Sequence, residues 1–155
     1  MKPSRIISID PGHGAYSICT GDDWYPCNVH FTMGKEKPNT LGCPELVKSL
    51  LPLIKSDSVV VIEEPYGMLY AVKSLTCDIG YIAGVLRQFE GVALKQCRHS
   101  DWKKCLESYG YLPPKSGNIT GDKYKPILDA KFEMNLTEDN WSSWGIFFWA
   151  VHNID

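Results

Sequence analysis

The chain has 155 residues, a formal net charge of −2 and 44% hydrophobic residues, which suits one domain with a core of its own. No apolar run approaches the roughly 18 residues a membrane-spanning helix needs, so no membrane partner is expected. The opening Met-Lys-Pro-Ser-Arg lacks the apolar stretch of a secretion signal, which predicts a cytoplasmic protein; the six cysteines, none in CxxC spacing, are expected as reduced thiols rather than disulfides or zinc ligands.

Residues 4–10 are β-branched and alternate, predicting a strand that ends on Asp10 in the stretch IISIDPGHGAYSI. Residues 15–20 predict a second strand, and Gly21-Asp22-Asp23 a turn into a third strand near Cys27–Thr32. The polar stretch MGKEKPNTLG reads as a loop. Pro44 suits the first position of a helix carrying Leu46, Val47, Leu50, Leu51 and Ile54, which ends near Ser56-Asp57. SVVVIEEP, residues 58–65, is a continuous β-branched run, as expected of a strand covered on both faces, and it ends on Glu63 and Glu64.

Residues 68–89 predict one long helix whose apolar stripe runs from Leu69 to Phe89, with Gly80 and Gly84 permitting a close neighbour. A short strand, 92–97, precedes a helix capped by Ser100, with Trp102, Cys105 and Leu106 inward. Residues 109–121 read as a Gly/Pro-rich loop and 122–132 as helical. The last segment, TEDNWSSWGIFFWAVHN, predicts an apolar helix with an acidic first turn. His30, His99 and His152 show no partner spacing, and Trp102, Trp141, Trp144 and Trp149 fit the core. Three hairpin-linked strands followed by strands reached through helices predict an α/β fold, a mixed sheet flanked by helices in a single domain over 1–155.

Lys95, Arg98, Lys103, Lys104, Lys115, Lys123, Lys125 and Lys131 crowd one stretch, while acids gather near 57–64 and 133–139. A basic zone beside an acidic pocket suits an enzyme that grips phosphates and holds metal ions. Asp10 and Glu63 end strands that a mixed sheet would bring side by side, and Asp139, with Glu138 beside it, opens the last helix. Converging carboxylates repel unless protonated or bridged by cations. Oxygen-only ligands favour Mg²⁺, with Mn²⁺ an alternative, and two such ions can promote phosphodiester hydrolysis.

ISIDPGHGAYSI, VVVIEEPYG and EDNWSSWGIFFWAV resemble, in order, the three motif regions of the RuvC-like Holliday junction resolvases of the RNase H-like (retroviral integrase) superfamily, particularly its compact phage-type members. The resemblance runs over nearly the whole chain. It implies an RNase H-like fold and a Mg²⁺-dependent endonuclease with two ions per active site, acting as a homodimer on branched DNA. Asp10, Glu63 and Asp139 would be catalytic and, with Glu138, metal-binding. Tyr66 matches the position of a base-stacking aromatic, and Lys73, Lys103, Lys104, Lys115 and Lys123 would contact DNA.

The departure is Ser142, where the family carries an aspartate one helical turn beyond the Asp139 position. Three outcomes stay open: Glu138 or Glu64 compensates, a three-carboxylate site works more slowly, or the protein binds junctions without cutting them. A related RNase H-like nuclease that trims ribosomal RNA precursors shares the first motif but not VIEEPYG. A sugar-kinase or actin-like phosphate hairpin needs a second domain that 155 residues do not supply.

Overall fold

The computed structural model describes residues 2–12, 14–65, 69–111, 132–134, 136–137 and 139–155. Five strands form one sheet in the order β3-β2-β1-β4-β5. β1 (Ile6–Asp10), β2 (Ala15–Gly21) and β3 (His30–Lys35) make an antiparallel meander, and β4 (Val59–Glu63) and β5 (Ala93–Cys97) join parallel to β1. The described helices are α1 (Pro44–Leu50), α2 (Leu69–Leu86), α3 (His99–Ser108) and α4 (Trp141–Asn153). No helix among the described residues is long and apolar enough to cross a membrane.

The hydrophobic pattern decides the layers. β4 is buried along its whole length, as the run VVVI requires of a strand with helices on both sides. One face of the sheet, with Ile7, Ile9, Ile18, Val60 and Ile62, packs on Leu46 and Leu50 of α1 and Ile79, Ile82 and Leu86 of α2. The other, with Ile6, Cys19, Val59 and Val61, packs on α3 and α4 through Trp102, Leu106, Trp144, Phe147 and Phe148. Those three α4 aromatics are almost wholly buried, and truncating any of them to alanine would cost about 3–5 kcal/mol.

Several boundaries differ from the sequence reading. The third strand starts at His30, not Cys27, and runs into the stretch read as a loop. The turn before it is longer because Asp23 accepts the Tyr25 N–H at 3.1 Å, Asn28 N–H bonds Tyr25 O at 3.0 Å, and Trp24 takes a positive φ of 60°. α1 stops at Leu50 and continues only as a 3₁₀ turn over Leu51–Leu53, since Pro52 lacks the N–H that would extend the α-helical ladder. α3 begins at His99 after an extended Arg98, so Ser100 lies inside the helix. α4 begins at Trp141 with Asn140 as its N-cap and no acid in its first turn; Asp139 sits in the turn before it. Phe89 is exposed beyond the end of α2, and a Cβ at Gly80 or Gly84 would meet nothing within 4 Å. Those glycines therefore face open space rather than a packed neighbour. All six cysteines are free thiols, and burial pushes the Cys43 thiol up to about 12. Residues 112–131, read as loop and helix, lie outside the described residues, as does His13.

Candidate active site

β1 and β4 run parallel in the register Ile9↔Ile62, so the next residues along, Asp10 and Glu63, finish neighbouring strands at one edge. Alternation along each strand puts both on the α3/α4 face: Ile6, two pleats before Asp10, and Val61, one pleat before Glu63, belong to the core on that side. Gly12, at φ 52°, turns the chain sharply past Asp10; a Cβ there would lie 2.1 Å from Ala15 O. Only glycine fits that reversal, which returns β2 to its place while leaving the end of β1 open.

Burial, then the charge of Glu63, push the Asp10 carboxyl up from 3.8 to about 7, against a hydrogen bond from the Gly12 N–H that pulls it down. Burial and the like charge of Glu63 therefore outweigh what stabilises an ionised Asp10 at this strand end. Glu63 is only 7% exposed. Its Oε1 accepts from Trp102 Nε1 at 2.8 Å and lies 2.7 Å from His99 Nδ1. Both donors come from the first turn of α3, which starts directly after β5, and the register Glu63↔Cys97 carries them alongside.

Asp139 is exposed, yet it lines the same cavity as Asp10, a space of about 430 Å³ also bordered by Gly12, Ser17, Met33 and Lys35. The cross-strand pairs Asp10↔Ser17 and Ser17↔Met33 form one row, and Ala15↔Lys35 the next. The start of α4 is fastened over this row by hydroxyls. Ser17 Oγ and Ser143 Oγ are 2.6 Å apart, Ser143 Oγ donates to Asn140 O at 2.9 Å, and Ser8 Oγ donates to Ser143 O at 2.7 Å. Ser143, fully buried, is thus the serine turned to the sheet, while Ser142 is half-buried.

The remaining expected residues are spread out. Lys103 is half-buried, its Nζ 5.8 Å from the centre of the Trp102 ring, with its ammonium lowered by burial and raised by Glu63 and Glu107. Lys104 is exposed and borders a separate depression with Asp101, Tyr109 and His152. Lys73 is exposed on α2, in the opposite helical layer. Tyr66, Lys115, Lys123 and Glu138 lie outside the described residues. Sequence reading missed His99 and Trp102 as partners of Glu63, and Lys35 as a cation on the wall of the cavity that Asp10 lines. Their only signal was position: His99 and Trp102 follow a strand end at helical spacing, and Lys35 ends a strand paired with β2.

The donor set suits a divalent cation in its chemistry, being oxygen-only and anionic. It is also incomplete. Among the described residues no group of three or more His, Cys, Asp and Glu side chains stands close enough to hold a metal ion. What the described residues provide is the Asp10–Glu63 pair, with Asp139 across the cavity.

No protein-family model matches the chain, and no curated protein matches it in sequence. A solved structure does match: RuvC of T. thermophilus, in complex with a Holliday junction substrate, aligns with a TM-score of 0.65 over 96% of this chain and 94% of that chain, at 11% sequence identity. The chain has the RuvC fold. The mixed sheet flanked by helices expected from the order of elements is therefore the RNase H-like α/β arrangement, with the Asp10–Glu63 pair at the end of its central parallel strands.

Proposed function

We propose that this protein is a metal-dependent, structure-selective DNA endonuclease that hydrolyses phosphodiester bonds at four-way or other branched junctions. The observation that carries the reading is the Asp10–Glu63 pair, set by register at adjacent strand ends of a RuvC fold, with the Asp10 carboxyl raised by burial and by Glu63. Ligand sites in open α/β sheets gather at such strand ends. Asp10, Glu63 and Asp139, with Glu138, would hold two Mg²⁺ or Mn²⁺ ions, which when bound supply Lewis acidity for attack of water on phosphorus and stabilise the departing oxygen.

The protein's own contribution is placement and charge. Asp10 and Glu63 arrive on rigid strands, so their spacing needs no ordering when substrate binds. Lys35 on the cavity wall and Lys103 beside Glu63 offer cations to the phosphates flanking the scissile bond. Lys73, Lys104, Lys115 and Lys123 would add phosphate contacts, and Tyr66 a stacking face for a base near the crossover. Cleavage would leave a 3′-hydroxyl and a 5′-phosphate. A four-way junction is two-fold symmetric, which favours a homodimer with one site per strand; the open Gly80/Gly84 face of α2 is the proposed contact.

The test is incubation with a synthetic four-way junction, the matching duplex and a structured RNA, each with Mg²⁺, Mn²⁺ or EDTA. Paired nicks in the junction that EDTA abolishes are the expected result. RNA-only cleavage would refute it in favour of an RNA-trimming nuclease. A second reading, a junction-binding protein that does not cut, rests on the absence of a three-donor group among the described residues and on Ser142; junction binding without cleavage under every metal would select it.

A further inference from the structure

Glu63 is the acidic end of a strand that is otherwise VVVI. Burying a carboxylate costs several kcal/mol unless its oxygens are satisfied, and an apolar residue there would fill the space at no such cost. The protein instead supplies two donors from another element. A carboxylate only accepts and an indole only donates, so Trp102 Nε1–H points at Oε1 at 2.8 Å. His99 Nδ1 reaches the same oxygen at 2.7 Å, which fits the Nδ1–H tautomer. The two residues are three apart on α3 and so project from one side of the helix.

These rings are fixed in turn. They meet edge to face, centroids 5.2 Å apart at 83°, and Trp102 meets Trp141 in the same way at 5.1 Å and 78°. Trp102 is fully buried, and Gly145 of α4 makes room for it: a Cβ there would come within 2.5 Å of Trp102 Cε3. A glutamate has three side-chain rotors, and like charge on Asp10 pushes it away. Two directed N–H groups on one oxygen oppose that repulsion.

Resting on the reading of Glu63 as a metal ligand, we propose that His99 and Trp102 are positioning residues. They clamp the Glu63 carboxylate beside Asp10 by its Oε1, which makes the first turn of α3 part of the active site although it supplies no ligand. Groups that orient a ligating side chain in this way typically change metal affinity 10–100-fold when removed.

The experiment titrates Mn²⁺ calorimetrically into the full-length wild type, Trp102→Phe, His99→Ala and His99→Asn, with junction cleavage and thermal melting in parallel. Trp102→Phe keeps an aromatic ring but loses the N–H together with part of the buried indole volume, and thermal melting measures that packing loss separately. His99→Asn keeps an amide N–H close to the place of Nδ1–H. Mn²⁺ affinity should fall about 10–100-fold in Trp102→Phe and His99→Ala and recover in His99→Asn, with cleavage following affinity. Should Trp102→Phe not fold, His99, whose side chain is 25% exposed, decides alone. Folded variants with wild-type Mn²⁺ affinity would overturn the clamp, as would equal losses in His99→Ala and His99→Asn. A wild type that neither binds Mn²⁺ nor cuts would instead overturn the ligand reading of Glu63, and the clamp with it.

Discussion

Replacing Asp10 by asparagine should stabilise the metal-free protein above neutral pH while removing the proposed junction cleavage. The Asp10 carboxyl rises from 3.8 to about 7 in the folded state, and at about 1.4 kcal/mol per unit this corresponds to roughly 4 kcal/mol of strain once the group is ionised. The sign follows from proton counting. Below pH 4 both folded and unfolded chains carry the proton, and Asp10 has no effect. Between pH 4 and 7 the unfolded chain has released it while the folded chain keeps it, so stability falls as pH rises; above 7 the full cost is present. Asparagine has no charge to bury and can still accept the Gly12 N–H, but its amide needs partners of its own. About half the cost, near 2 kcal/mol, should be recovered, which for this chain length is a rise in Tm of about 4–8 °C. The assay is thermal unfolding in EDTA at pH 5 and pH 8, followed by the same scans with Mg²⁺. The difference between Asp10→Asn and wild type should open between pH 5 and 8, and Mg²⁺ should raise the Tm of the wild type alone. A variant less stable than wild type at pH 8 in EDTA, or a difference that does not change with pH, would refute the reasoning.

Three further outcomes follow from the same geometry. Lys35→Ala should weaken junction binding and lower the slope of log affinity against log salt by about 1, as for one lost phosphate contact, while leaving Mn²⁺ affinity intact in calorimetry. Ser143→Ala should cost about 1–3 kcal/mol in denaturant unfolding, because it strands the buried Ser17 hydroxyl; adding Ser17→Ala should restore part of that. Ser142→Asp, which puts a carboxylate where RuvC-like sequences carry one, should tighten Mn²⁺ binding and speed junction cleavage, read by calorimetry and single-turnover kinetics. Unchanged affinity there would show that residue 142 does not face the ions.

The parts of the fold legible in sequence are those where one chemical signal dominates. VVVI ending on Glu63 and IISI ending on Asp10 declare buried strands, and the dense apolar run from Trp141 declares the last helix. β3 was blurred because it is a sheet edge, where half-exposed Phe31 and Thr32 and exposed Met33 dilute the alternation. The end of α1 depended on Pro52, one residue inside an otherwise good helical pattern. His99, Trp102 and Lys35 were illegible for another reason: each earns its place through cross-strand register, Glu63↔Cys97 for the first two and Ala15↔Lys35 for the third, and register is not written in local spacing.

The hydroxyls that fasten the start of the last helix also bear on the charge at this strand end. The start of α4 lies over the row Asp10–Ser17–Met33 and is tied to it by neutral hydroxyls, with Ser143 inward and Ser142 beside it. A carboxylate in that turn would add a negative charge to the set of Asp10, Glu63 and Asp139, where Asp10 is already raised to about 7, and the metal-free fold would bear the added repulsion. The serines remove that repulsion and, with it, part of the attraction for cations. Under the proposed function, the expected consequence is a protein that folds readily without metal and binds divalent cations weakly, so that cleavage depends steeply on divalent concentration. The His99–Trp102 clamp acts on the same balance from the other side: with fewer charges to draw an ion in, holding the carboxylates already in place counts for more.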